Sequence, residues 1–139
     1  MKTDLQGYRE RIKNVGLKAT PQRISVLKVL TERSDHPNAE MLMEQLQEEG
    51  SIMSVGTIYN ILETFEDKGL IHKLHDHNEV MRFDARTHFH VHIYNKENNL
   101  IEDYFDDELE ALLKSYLSKK LPDGTCLDHL DLSLHSRTA

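Results

Sequence analysis

At 139 residues, 38% hydrophobic and 29% charged, the chain is large enough for one ordinary domain or two small ones and can bury a core. The net charge of −7 is unevenly spread: residues 1–33 carry eight Lys and Arg against three acids (+5), and residues 87–139 carry five against ten (−5), which suits an anionic partner at one end and cations at the other. No apolar run approaches membrane length, the first residues lack the apolar centre of a signal peptide, and a single cysteine excludes an intrachain disulfide, so a cytoplasmic protein with no membrane partner is expected.

Residues 4–15 place Leu5, Tyr8, Ile12 and Val15 at helical spacing, and Gly16 stops that helix. Thr20-Pro21 opens a second helix, with Thr as cap and Pro in the first turn, whose apolar stripe is Ile24, Leu27 and Leu30 beside Val26 and Val29. After the break Ser34-Asp35-His36-Pro37, Asn38 caps a third helix that buries Met41, Leu42 and Leu46 and ends at Gly50. Ser54 caps a fourth helix. Its apolar face is Val55, Ile58, Leu62 and Phe65, and its other face carries Gly56, Thr57, Tyr59 and Asn60. Such a face can approach a duplex closely and offer neutral hydrogen-bonding groups to base edges.

Two short strands follow, Leu70–Leu74 and Val80–Phe83, joined by a polar turn at 75–79. Basic helices ending in a small hairpin are the winged variant of helix-turn-helix DNA binding. His72, His75 and His77 read as solvated wing residues.

From Asp84 the texture changes from helical to strand-like, which places a boundary at about 84–87. In His88–Tyr94, three histidines (His88, His90, His92) alternate with Phe89, Val91 and Ile93, so a strand would put three imidazoles on one face. Carboxylates at Asp84, Glu102 and Asp103 bracket it. Imidazoles with carboxylates suit a divalent first-row ion such as Fe, Mn, Zn or Co.

Residues 95–99 form a turn, Leu100–Tyr104 a returning strand, and Asp106 begins a helix bearing Leu109, Leu112, Leu113, Tyr116 and Leu117. Acids at its start and Lys119-Lys120 at its end complement the helix dipole. A turn at Pro122-Asp123-Gly124 leads to a last strand, Cys126–Leu134, in which Cys126 reads as a small apolar group, and the tail from His135 reads as loose. This β-β-α-β unit is marginal alone, because a short chain buries too small a fraction of its surface. A second copy would remedy that and supply two heads for a palindromic site. The fold class is therefore α+β.

G-L-K-A-T-P-Q-R at 16–23, H-P-N-A-E at 36–40, S-V-G-T-I-Y-N at 54–60, R-F-D at 82–84 and H-x-H at 90–92, with Asp103 eleven residues beyond, follow in an order that resembles the ferric-uptake-regulator (Fur) family of bacterial metal-responsive repressors. The resemblance covers residues 8–135. It implies a winged-helix DNA-binding domain (1–84) and a small α/β dimerisation and metal-binding domain (85–139), with the regulatory metal on His36, Asp84, His90, His92 and Asp103. His36 enters only through the resemblance; the residues alone read it as a polar group before Pro37. The resemblance also implies that Arg23 and the face of Thr57, Tyr59 and Asn60 contact DNA.

Both matching acids are Asp, as in the peroxide-sensing branch, whose members bind Fe(II) and are inactivated when peroxide oxidises a ligand histidine; here that would be His36 or His90. A one-residue slip would put Glu102 in place of Asp103 and restore the iron-uptake pattern. Many relatives hold a structural zinc on two Cys-x-x-Cys pairs, but Asn95 and Asn98 stand at the first pair and the second is absent, so no four-cysteine zinc is expected. Another family site uses an acid where Val91 stands; Glu110 and His129 match its other ligands and His88 could substitute, which makes these three a candidate second metal site. The expected function is a homodimeric, metal-dependent repressor of palindromic double-stranded DNA, loaded with Fe(II) or Mn(II), with zinc able to bind in vitro. The alternatives are an iron-level regulator without peroxide sensing, a haem-linked iron-response regulator, suggested by the P-D-G turn before D-H-L-D-L, and a DNA-binding dimer indifferent to metal. An enzyme, a small His/Asp metal hydrolase with Glu102 as base, would leave the basic winged half unexplained, so catalysis is not expected.

Overall fold

The computed structural model describes residues 2–85, 88–127 and 129–138, with side chains from Leu5 onward. They form two compact units, Met1–Thr87 and His88–Ala139. The architecture is α+β, with four helices and a hairpin in the first unit and a small mixed sheet with one helix in the second. Arg86 and Thr87, at the expected boundary, lie outside the described residues.

The first unit contains α1 (Lys2–Asn14), α2 (Pro21–Glu32), α3 (Ala39–Glu48), α4 (Val55–Asp67), β1 (His72–His75) and β2 (Met81–Asp84). Three of the helix starts follow from single polar side chains. Thr20 Oγ1 accepts the Arg23 amide at 3.2 Å, Asn38 Oδ1 that of Met41 at 2.9 Å, and Ser54 Oγ that of Thr57 at 3.1 Å. Each satisfies an amide that the helix itself cannot pair. Gly69, at φ +73°, ends α4: its amide donates to Glu66 O and that of Leu70 to Phe65 O, which turns the chain into the hairpin.

Helix α1 packs on α2, α2 on α3, and both α2 and α3 on α4. Ile12, Leu27, Leu42, Leu46, Ile58, Leu62 and Phe65 meet in the core. Val26 and Val29 are also fully buried, so α2 is covered on more than one side. Val55 departs from expectation. It is 48% exposed, because at the first position of α4 it lies one turn ahead of the first core residue of that helix, Ile58. Ser54→Ala is expected to destabilise the unit by about 0.5–2 kcal/mol in urea unfolding, the usual cost of losing such a cap. No change would mean that packing alone holds the start of α4.

In the hairpin, His72 pairs with Asp84 and His75 with Met81. Asp76 organises its turn, accepting the amides of Asn78 (2.8 Å) and Val80 (3.0 Å) on Oδ1. His75 and His77 are exposed and His72 is half-buried.

The second unit contains β3 (Val91–Asn95), β4 (Ile101–Tyr104), α5 (Asp107–Lys120) and β5 (Leu132–Ser136), in sheet order β4-β3-β5. Strands β3 and β4 are antiparallel, whereas β5 joins the other edge of β3 in parallel after the crossover through α5. Asp106 Oδ1 caps α5 by accepting the Leu109 amide at 3.0 Å.

Three expectations are corrected. The strand begins at Val91 rather than His88, since pairing with β4 starts at Val91↔Tyr104. The last strand is Leu132–Ser136, not Cys126–Leu134; Cys126 is exposed, and Asp128, inside the expected span, lies outside the described residues. The tail is not loose at His135, whose ring stacks on Tyr94 with centroids 4.7 Å apart, while Ser136 Oγ donates to Tyr94 O. Alternation shows which face a residue takes, but not which strand edge it will join.

The apolar core of this unit is small, with Val91, Tyr94 and Ile101 buried and no buried residue on α5. Leu112 is 66% and Tyr116 59% exposed, so α5 presents large apolar side chains to solvent.

Candidate metal centre and nucleic-acid face

In the second unit, register sets the site. His92 lies directly opposite Asp103 in the antiparallel ladder, and such pairs project from the same face. Their closest atoms, His92 Nε2 and Asp103 Oδ1, are 3.9 Å apart. Glu102 lies opposite Ile93 and is exposed, so the acid on the histidine face is Asp103 and the slip that would substitute Glu does not occur.

His90, just before β3, turns its ring the same way. Its Nε2 is 3.0 Å from His92 Nε2 and 3.5 Å from Asp103 Oδ1. Its Nδ1 donates to His88 O at 2.7 Å, which in a neutral ring leaves the lone pair on Nε2. An imidazole oriented through its other nitrogen is the usual arrangement of a metal-ligating histidine. Phe105 flanks the ring, with centroids 5.0 Å apart. His90, His92 and Asp103 each offer a ligand atom within 4.8 Å of the others, and both imidazoles are buried.

His88 does not join them. It lies ahead of the paired strand, is exposed, and bonds Asp107 Oδ1 at 2.8 Å, so two imidazoles rather than three share the face. Among the described residues no ligand cluster brings His88, Glu110 and His129 together; Glu110 pairs instead with Lys114.

In the first unit, His36 Nε2 lies 3.8 Å from Asp84 Oδ2, and both residues are buried. Asp84 arrives at the end of β2. His36 has φ +53°, a left-handed conformation that costs a non-glycine residue about 1–3 kcal/mol and persists only where its surroundings enforce it. Phe83 donates its amide to Pro37 O (3.0 Å), and Arg82 donates to the carbonyls of Asp35 (3.2 Å) and His36 (3.0 Å). Arg33 grips the Asp35 carboxylate through Nε and Nη2, and that hydrogen bonding holds the carboxyl below its ordinary range. The sequence reading missed Arg82 and Arg33. Their signal was only an Arg inside R-F-D and another two residues before Asp35.

On the same unit, Arg23, Thr57 and Asn60 line one cleft of about 410 Å³ with Lys18, Thr20 and Gln22. Arg23 Nη1 donates to Lys18 O at 2.9 Å, and Thr57 Oγ1 bonds Ser54 Oγ. Tyr59 is 48% exposed on α4. Lys18 and Gln22 join the expected residues because the start of α2 is brought beside α4.

Residues 14–132 match the model of the ferric uptake regulator family. The chain belongs to that family. The peroxide-responsive repressor PerR of Staphylococcus saprophyticus is 34% identical to this family member over 101 residues, covering 73% of this chain and 68% of that protein. The ferric uptake regulator of Pseudomonas aeruginosa, solved with manganese, superposes with a TM-score of 0.80 at 25% identity, covering 94% of this chain and 96% of its own. The Campylobacter jejuni peroxide stress regulator gives a TM-score of 0.75 at 28% identity, covering 97% and 96%. The resemblance read from the sequence motifs, including its peroxide-responsive branch, is thus matched. In this Fur-family chain no described helix is long and apolar enough to cross a membrane.

Proposed function

We propose that the chain is a homodimeric repressor in which the His36–Asp84 pair and the His90–His92–Asp103 trio ligate one Fe(II) or Mn(II), and that this loading favours DNA binding. The observation that carries the reading is the convergence of His90 Nε2, His92 Nε2 and Asp103 Oδ1 on one sheet face. Imidazole nitrogens with carboxylate oxygens and no thiolate fit Fe(II), Mn(II) or Zn(II) rather than a thiolate-seeking site. The mechanism is linkage: ligands drawn from both units would favour one mutual arrangement of them, and metal would raise DNA affinity to the extent that DNA favours the same arrangement. Residues 1–84 would bind DNA through Arg23, Thr57, Tyr59 and Asn60, and residues 85–139 would pair two copies through the exposed face of α5. Membership in a family of regulators favours this over a hydrolase.

The Asp at position 103 and the peroxide-responsive relatives favour peroxide sensing. Peroxide would be the two-electron oxidant of the ring, and iron held by these ligands would supply one-electron chemistry, giving up an electron as the O–O bond breaks and regaining it from the ring. One ring carbon of His36 or His90 would gain an oxygen, its hydrogen leaving with the second peroxide oxygen as water. The test is peptide mass after loading with Fe(II) and adding low peroxide, with Mn(II) as control. A gain of one oxygen on the peptide holding His36 or His90, with iron only, is expected. No gain, with metal still promoting DNA binding, would make the chain an iron- or manganese-level regulator.

A further inference from the structure

We propose that Arg82 is a positioning residue for the metal, holding His36 in its ligating conformation and tying that ligand to the turn of the wing. The inference rests on His36 being a ligand, as argued above.

Its guanidinium is shared between two places. Nη1 donates to the carbonyls of Asp35 and His36, and Nε donates at 3.0 Å to Asp76 Oδ2. The Asp76 side chain is 3% and that of Arg82 14% exposed, so the pair is largely shielded from competing water. The other oxygen of Asp76 accepts the turn amides of Asn78 and Val80. A continuous hydrogen-bonded path therefore runs from the 76–80 turn through Asp76 and Arg82 to the backbone of His36.

Three features make this more than a structural ion pair. His36 sits at φ +53°, a conformation L side chains rarely adopt, so its backbone needs holding. The atom held is the carbonyl of the ligand residue itself. Asp84, the other ligand of this unit, lies two residues beyond Arg82 on the same strand, and Phe83 between them bonds Pro37 O. One short segment thus fixes both ligands. Hydrogen-bonded groups behind a first ligand shell commonly change metal affinity 10–100-fold when removed.

Arg82→Lys tests this, since it keeps a charge beside Asp76 but has no planar fork to reach Asp76 and two carbonyls together. Mn(II) affinity is measured by chelator competition in wild type, Arg82→Lys, His36→Ala and the double variant. Hydrogen exchange is followed over residues 76–80 with and without Mn(II). The expected result is a loss of about 10–100-fold in Arg82→Lys, with circular dichroism of the metal-free protein still showing wild-type helix content. No further loss is expected when Arg82→Lys is added to His36→Ala. Mn(II) should protect the 76–80 amides in wild type and fail to do so in Arg82→Lys.

Wild-type affinity in Arg82→Lys, additive losses in the double variant, or a wild-type wing indifferent to Mn(II) would each overturn the proposal. If His36→Ala itself leaves Mn(II) affinity unchanged, the ligand set is wrong and Arg82 has no ligand to position. If His36→Ala weakens binding and Arg82→Lys does not, the ligand set stands and only this inference falls.

Discussion

Asp84→Ala combined with His90→Ala is expected to abolish metal-dependent DNA binding. The pair of substitutions takes one proposed ligand from each unit, leaving of the proposed set His36 in the first unit and His92 with Asp103 in the second. Loss of groups that only orient ligands already costs about 10–100-fold in affinity, so removing two ligands should exceed about 100-fold. The consequence for DNA follows from reciprocity. If metal raises operator affinity by a typical coupling factor of about 5–150, a chelator should lower it by the same factor in wild type and leave the double variant unchanged. The measurement is a binding titration on a duplex selected by the Mn(II)-loaded wild-type protein, with and without chelator. A double variant that still responds to chelator would sink the proposed site. Both side chains are buried beside polar partners, so circular dichroism of the variant must first show wild-type helix content.

Phe65→Ala carries the largest expected effect on stability. Phe65 is fully buried late in α4, in the core with Ile12, Leu27, Leu42, Ile58 and Leu62. Truncating a buried phenylalanine removes its transfer free energy and leaves a cavity, at a cost of about 3–5 kcal/mol. Against a typical domain stability of about 5–15 kcal/mol, that is enough to leave the first unit marginal or unfolded. Urea unfolding monitored by helix signal, at one fixed protein concentration, reads the change. A loss below about 1 kcal/mol would mean that the core closes over the gap. Leu112→Ala is the useful contrast, since Leu112 is 66% exposed in the single chain and any loss there should appear as weaker self-association.

Fold class, helix starts and most of the proposed ligand set were legible in the residues. Thr20, Asn38, Ser54 and Asp106 announce helices because a cap bonds an amide only three residues away, and that bond depends on little else. His90 and His92 are two apart for an equally local reason. His36 was not legible without the family pattern, because what holds its left-handed backbone comes from Arg82 and Phe83, more than forty residues downstream. Long-range pairing also decided between Asp103 and Glu102: the β3–β4 register puts Asp103 beside His92 and turns Glu102 to solvent. It excluded His88 from the histidine face by starting the ladder at Val91, and it drew His135 into a strand by parallel pairing with β3. Sequence alone determined what a residue does to the chain within a few positions of itself. Only tertiary structure decided which distant backbone each strand would meet, because that choice depends on register and crossover, which no local spacing encodes.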